Sequence, residues 1–219
     1  MLVLLFLFYF VIQSTFIMSN EDYLKDINEI KNLMNKSSRF ISLSGLSGIM
    51  AGIYALVGAS IAYYLVQNSV RGYLILDGTV YRICFAILIA VAGLSVFTGI
   101  ALTTRKAKKN NEKIWDNSSK RLLFNFLVPL VSGGIYILII LNQERYGHTA
   151  ALMLIFYGLA LVNASKYSIG DIKFLGFIQI ILGLICALMP SYGFWFWVVG
   201  FGIMHIIYGT WMHFKYDVK

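Results

Sequence analysis

The sequence predicts an all-α fold, a polytopic membrane helical bundle with six transmembrane helices and an N-terminal cytoplasmic amphipathic helix. Three observations carry that expectation. Hydrophobic residues make up 59% of the chain and charged residues only 13%, against roughly 25% charged in soluble domains, so a soluble globule is excluded. The apolar residues come in long runs without alternation, which suits helices of about 20 residues rather than barrel strands of about 10. Lys and Arg, finally, gather in alternate loops, as the translocation barrier to basic segments requires.

Taken in order, residues 2–12 are an unbroken apolar run that Gln13, Ser14 and Thr15 interrupt. The run lacks the basic start and small-residue cleavage site of a secretory signal. Residues 1–18 are therefore read as an apolar leader upstream of the true start, with the chain beginning near Met18. The alternatives are a seventh span at 2–17 and, third, a signal peptide.

Residues 19–39 read as the amphipathic helix. Ser19 and Asp22 stand at capping-box spacing, acidic residues occupy the first turn, and Lys36 and Arg39 the last. Tyr23, Ile27, Ile30 and Met34 form one narrow apolar stripe. Such a stripe suits a protein partner or a second copy of the chain. It also suits lipid headgroups or the chain's own basic loop, which is the plainer reading because fewer than three heptads seldom define a coiled coil.

Six spans follow at about 40–66, 81–104, 122–141, 149–165, 172–189 and 194–213. They make a transmembrane domain over 40–213 with a tail at 214–219. Of the 18 basic residues, only Arg71, Arg82 and Arg145 fall on the outer side. The other fifteen place both the amphipathic helix and the tail on the cytoplasmic side of the membrane. This partition also accounts for the net charge of +8, so no nucleic-acid partner is needed.

Between the second and third spans lie Arg105, Lys106, Lys108, Lys109, Lys113, Lys120 and Arg121. A juxtamembrane cluster of this kind attracts anionic lipid headgroups at about 1 kcal/mol per charge, with Ile114 and Trp115 as an interfacial anchor. The plainer reading is that the charges only fix topology. Asp116, Ser118 and Ser119 stand where the third span needs a cap.

Along the first span Gly45, Gly48, Gly52, Ala55, Ala59 and Ala62 form a strip of small side chains. Helices in lipid associate through close backbone approach, so this strip is a packing seam. The second span, with Ala86, Ala90, Gly93 and Gly99, is its natural partner through a short outer loop. In the third span Pro129 permits a kink, with Gly133 and Gly134 one turn later.

The intramembrane polar residues are Gln179, His205 and Asn163, with Asn125 near a span end. Counted outward from the turn around Ser191, Gln179 and His205 come to similar depths on adjacent antiparallel helices. An interhelical hydrogen bond is the bland reading, and a proton or ligand site the functional one. No nucleophile elbow, HExxH helix or phosphate-binding glycine loop is present. The sequence therefore assigns no catalytic residue, metal site or cofactor. Cys84 and Cys186 sit in apolar runs, which excludes a disulfide framework.

The segments SSRFISLSGLSGIMAGIYALVG at 37–58, TTRKAKKNNEKIWDNSSKRLLFNFLVPLVSGG at 103–134 and FYGLALVNASKY at 156–167 resemble an uncharacterised family of polytopic inner-membrane proteins from Bacteroidetes-type bacteria. The resemblance covers the chain from Ser19 onward. It implies a start near Met18 and no particular activity. Three function classes follow: a noncatalytic membrane component such as a sensor, regulator or scaffold; a small-molecule channel or permease; and a membrane enzyme acting on lipid.

Overall fold

The computed structural model describes residues 23–28, 43–68, 78–110 and 114–217. The chain divides into two units, Met1–Ser38 and Arg39–Lys219. In the first, residues 23–28 are helical, and Tyr23 and Ile27 are exposed. Ile30, Met34 and the apolar segment 2–17 lie outside the described residues.

The second unit is a helical bundle without a β-strand among its described residues. Helix α1 spans Gly45–Gln67, α2 Gly78–Lys109, α3 Asn117–Asn142 and α4 Thr149–Ala164, the last prolonged by a 3-10 turn at Ser165–Tyr167. Helix α5 spans Ile172–Leu188, and α6 covers Pro190–Tyr216 with a π-helical stretch at Val198–Ile203. Asp116 caps α3 as expected, its carboxylate accepting from the Ser119 N–H at 2.7 Å.

Five of the six helices are long and apolar enough to cross a membrane. The exception to the expected six is α5, whose 17 residues reach about 26 Å at 1.5 Å per residue, at the short limit for a span. It stops early because Met189 leaves the helical conformation and Pro190 opens the next helix. Helix α2 errs the other way. It runs through Lys109, so the start of the basic segment is helix and not loop.

All six helices run between the same two ends. At one, which carries Lys106, Asp171, Lys215 and Asp217, charged side chains join Leu43, α2, α5 and α6. At the other, the rings of Tyr63 of α1 and Phe194 of α6 stack, and those of Tyr81 of α2 and Tyr146 meet edge to face. The first is called the basic end below.

The glycines Gly45, Gly48 and Gly52 of the α1 strip meet a helix backbone closely, but that backbone is α6 and not α2. A Cβ on Gly52 would stand 2.6 Å from the Gly202 carbonyl oxygen, and one on Gly209 2.5 Å from the Ile49 amide. Gly45 likewise abuts the His213 and Gly209 backbone, and Gly48 the Gly209 Cα. Helix α2 meets α1 on another face, where Val91 and Ile87 fill the space beside Gly58 and the Tyr54 hydroxyl lies 3.2 Å from the Thr98 hydroxyl. The expected α2 partners Gly93 and Gly99 face nothing within 4 Å. The glycines of α6 explain the choice. A strip of small residues approaches most closely another backbone that is equally bare, and Gly202 and Gly209 supply it about two turns apart along one face of α6.

A second seam joins α4 to α5. A Cβ on Gly158 would stand 2.6 Å from the Gly176 carbonyl oxygen, and one on Gly183 2.9 Å from that of Ala151. Helix α3 leans on α4 by admitting the Phe156 ring against Gly133. The bundle is thus an arc: α2 lies on α1, α1 on α6, α6 on α4 and α5, and α4 on α3. Helices α2 and α3, consecutive in sequence, stand at opposite ends of that arc and lack comparable packing against one another.

Candidate functional site

Inside the arc is a cavity of about 550 Å³, within the range of roughly 300–1,000 Å³ that holds small ligands. One wall is α2, through Leu88, Val91, Ala92, Ser95, Val96 and Gly99. The facing wall is α3, through Phe126, Leu130, Gly133, Gly134 and Ile137, and the back is formed by α1, Tyr157 of α4 and Trp197, Phe201 and His205 of α6. Ala92, Val96 and Gly134 line the cavity and are nevertheless exposed. The cavity therefore opens sideways between α2 and α3.

The wall is apolar in effect as well as composition. Ser47 donates to the Ser44 carbonyl at 2.6 Å and Ser95 to the Val91 carbonyl at 2.7 Å, both within their own helical turns. Tyr157 is bonded to His205. The exception is Tyr208, which lines the cavity and whose buried hydroxyl has no partner among the described residues. With so few free donors and acceptors, the cavity suits hydrocarbon and not a hydrated solute.

The buried polar cluster forms where α6 widens into its π stretch. There the Met204 N–H reaches back five residues to the Val199 carbonyl, a local loosening frequent at functional sites. The Gly200 carbonyl in this stretch accepts from Gln179 Nε2 at 2.7 Å and meets His205 Nδ1 at 2.9 Å. A carbonyl only accepts, so the imidazole proton belongs on Nδ1. That leaves Nε2, 2.8 Å from the Tyr157 hydroxyl, as an acceptor. Gln179 and His205 thus meet through a shared backbone oxygen and not by bonding to each other.

A Cβ at position 200 would press into the Leu154 side chain and stand 2.7 Å from Gln179 Oε1, so both buried side chains would have to shift to admit one. That Oε1 is buried without a partner among the described residues. Around the imidazole, the Tyr157 and Phe201 rings stack at centroid distances of 5.4 and 5.9 Å. Tyr157→Phe and His205→Leu each strand one partner of a bonded pair. A double-mutant cycle in thermal stability should show a coupling of about 0.6 kcal/mol, and up to about 1.7. Strictly additive losses would show that the hydroxyl and ring do not meet.

At the basic end a carboxylate ties three helices together. Asp217 accepts from Lys106 Nζ at 2.5 Å and the Gly45 N–H at 2.9 Å, and lies 3.0 Å from His213 Nδ1. Lys106 Nζ also donates to the Leu43 carbonyl at 3.0 Å. Leu43, Ser44 and Gly45 line the cavity, so this latch sits at its basic end. Burial pushes the Asp217 carboxyl up. The hydrogen bonds from Lys106 and His213, the Lys106 charge and the Gly45 amide outweigh that and hold it below its usual range. Asp171 is also held low, by hydrogen bonds from Lys215 and Tyr216 that fasten the start of α5 to the end of α6.

The remaining sequence candidates separate. Asn163 donates to the Asn125 carbonyl at 2.9 Å, joining α4 to α3. Arg105, Lys108, Lys109, Lys120 and Arg121 are exposed. Lys106 faces inward to Asp217 instead, and Lys113 lies outside the described residues. Sequence reasoning missed Tyr157, Gly200 and Asp217. Only Asp217 carried a signal, as an acid placed just past the end of a span. Among the described residues no group of His, Cys, Asp and Glu is arranged to hold a metal ion. No family model, no curated protein and no solved structure matches this chain.

Proposed function

We propose that this multi-pass membrane protein is a noncatalytic membrane component whose bundle takes up a hydrocarbon chain from the bilayer through the side between α2 and α3. The single observation that carries the reading is the cavity itself: about 550 Å³, apolar, and flanked by two helices that do not close on each other. A permease for polar solutes has less support, because Ser47 and Ser95 of the wall are bonded within their own turns and Ser44 turns to Asp217.

Gly99 and Gly134 allow a clean test. Both line the cavity, and a Cβ on either meets nothing within 4 Å. Gly99→Phe and Gly134→Phe should therefore fill the cavity at little cost to folding. Native mass spectrometry of protein released from bilayers should show wild type retaining a lipid or other chain-bearing molecule, and these variants losing it. Equal retention by wild type and both variants would sink the reading.

The reading includes an orientation. The basic end faces the cytoplasm of a bacterial inner membrane, and the exposed Tyr23 and Ile27 suit contact with lipid or a protein partner. Reporter fusions at Asn110 and Ser168 should report cytoplasm, and fusions at Gly147 and Ser191 the opposite side. Reversal at two of the four sites would overturn it.

A further inference from the structure

The geometry points to an anionic phospholipid as the occupant: one acyl chain lies between α2 and α3, and its phosphate rests on the exposed bases at the mouth of the cavity's basic end. This rests on the reading of the cavity as a chain site and adds the chemical class of its ligand. The cavity face of α2 passes through Ala92, Ser95, Val96 and Gly99. Continued at helical spacing, the same face reaches Lys106 and then Lys109. Asp217 and the Leu43 carbonyl already engage Lys106, which leaves Lys109 exposed on the continuation of the chain groove.

Arg105 and Lys108 flank Lys109 on the end of α2, and Lys120 and Arg121 stand on the first turns of α3, all exposed. The two helices that frame the lateral opening therefore both end in cations on the same side. The described carboxylates of that end are already engaged. Asp116 accepts from Ser119, Asp217 is tied to Lys106, and Asp171 to Lys215 and Tyr216. Trp115, exposed just before the start of α3, is the residue type that settles at headgroup level. A lipid satisfies both parts of this arrangement at once, because its phosphate and its chain are covalently joined. A free phosphate would use only the bases.

The test uses the full chain in bilayers of phosphatidylcholine and phosphatidylglycerol in equal parts, with the lipids that stay bound on release counted by native mass spectrometry. Wild type should retain phosphatidylglycerol in preference. A variant carrying Arg105→Gln, Lys108→Gln, Lys109→Gln, Lys120→Gln and Arg121→Gln should retain lipid but lose that preference by about tenfold or more. Gly134→Phe should lose lipid of either kind. An unchanged preference in the five-glutamine variant would overturn the phosphate site while leaving the chain site standing. Retention unaffected by Gly134→Phe would instead overturn the chain site beneath it. Inorganic phosphate added at millimolar concentration should not displace the lipid, and displacement would show that the bases bind free phosphate on their own.

Discussion

Gly209→Leu should lower the stability of the bundle by about 3 kcal/mol or more in a detergent melt, with failure to accumulate in the membrane as the extreme outcome. The reason is local. The Cβ alone would stand 2.5 Å from the Ile49 amide and 2.8 Å from the Gly45 carbonyl oxygen, and neither backbone atom can swing aside as a side chain would. Three more heavy-atom positions would have to be found where two helices already touch backbone to backbone. Leu138→Ala is the control: that side chain is 57% exposed, so its loss should be nearly neutral. Gly93→Leu distinguishes the observed seam from the one expected through α2, since Gly93 has open space around it and should tolerate the substitution. Equal damage from Gly93→Leu and Gly209→Leu would show that α1 does not pair with α6 as described.

Asp217→Asn should be the second most damaging change, costing about 3 kcal/mol. The pair is nearly buried, with Lys106 and Asp217 side chains 15% and 10% exposed, and the substitution strands an ammonium that also holds the Leu43 carbonyl. Lys106→Met with Asp217→Asn should recover part of the loss, because removing both members leaves no unpaired buried charge. The pH dependence has a definite sign. A carboxyl held low in the folded state stabilises it fully above the unfolded value of about 4, and that contribution is lost as pH falls through the lower folded value. Wild type should therefore hold its stability from neutral pH down to about 4 and lose it below. Asp217→Asn should lose less over that window, retaining the share that Asp171 contributes by the same sign. An acid limb identical in the two proteins would show that Asp217 is not held by Lys106.

These two sites mark where the sequence was legible and where it was not. Five of the six expected spans read off correctly, because hydrocarbon thickness imposes a length and a run of apolar residues displays it directly. The seam of α1 was legible as a strip of small residues, but the strip does not name its partner. Chain adjacency suggested α2, while the bare backbone of α6 at Gly202 and Gly209 decided it. Similar depth brought Gln179 and His205 to one level, yet depth says nothing about a widened helical turn. The meeting point is the Gly200 carbonyl, with Tyr157 completing the cluster from a third helix. The cavity left no mark at all. It depends on α2 and α3 failing to pack, which follows from where each finds its closest neighbour around the arc and from no residue in either helix alone.

Chain uptake between α2 and α3 is tested most directly by photolabelling with a phospholipid that carries a diazirine midway along one acyl chain. Label on outward residues such as Phe97, Phe124 and Leu138, which are exposed, is expected from any protein in a bilayer. The account predicts additional label on Tyr157 and Phe201, which line the back of the cavity, and its disappearance in Gly134→Phe while the outward label persists. Label confined to the outward residues in wild type would contradict it.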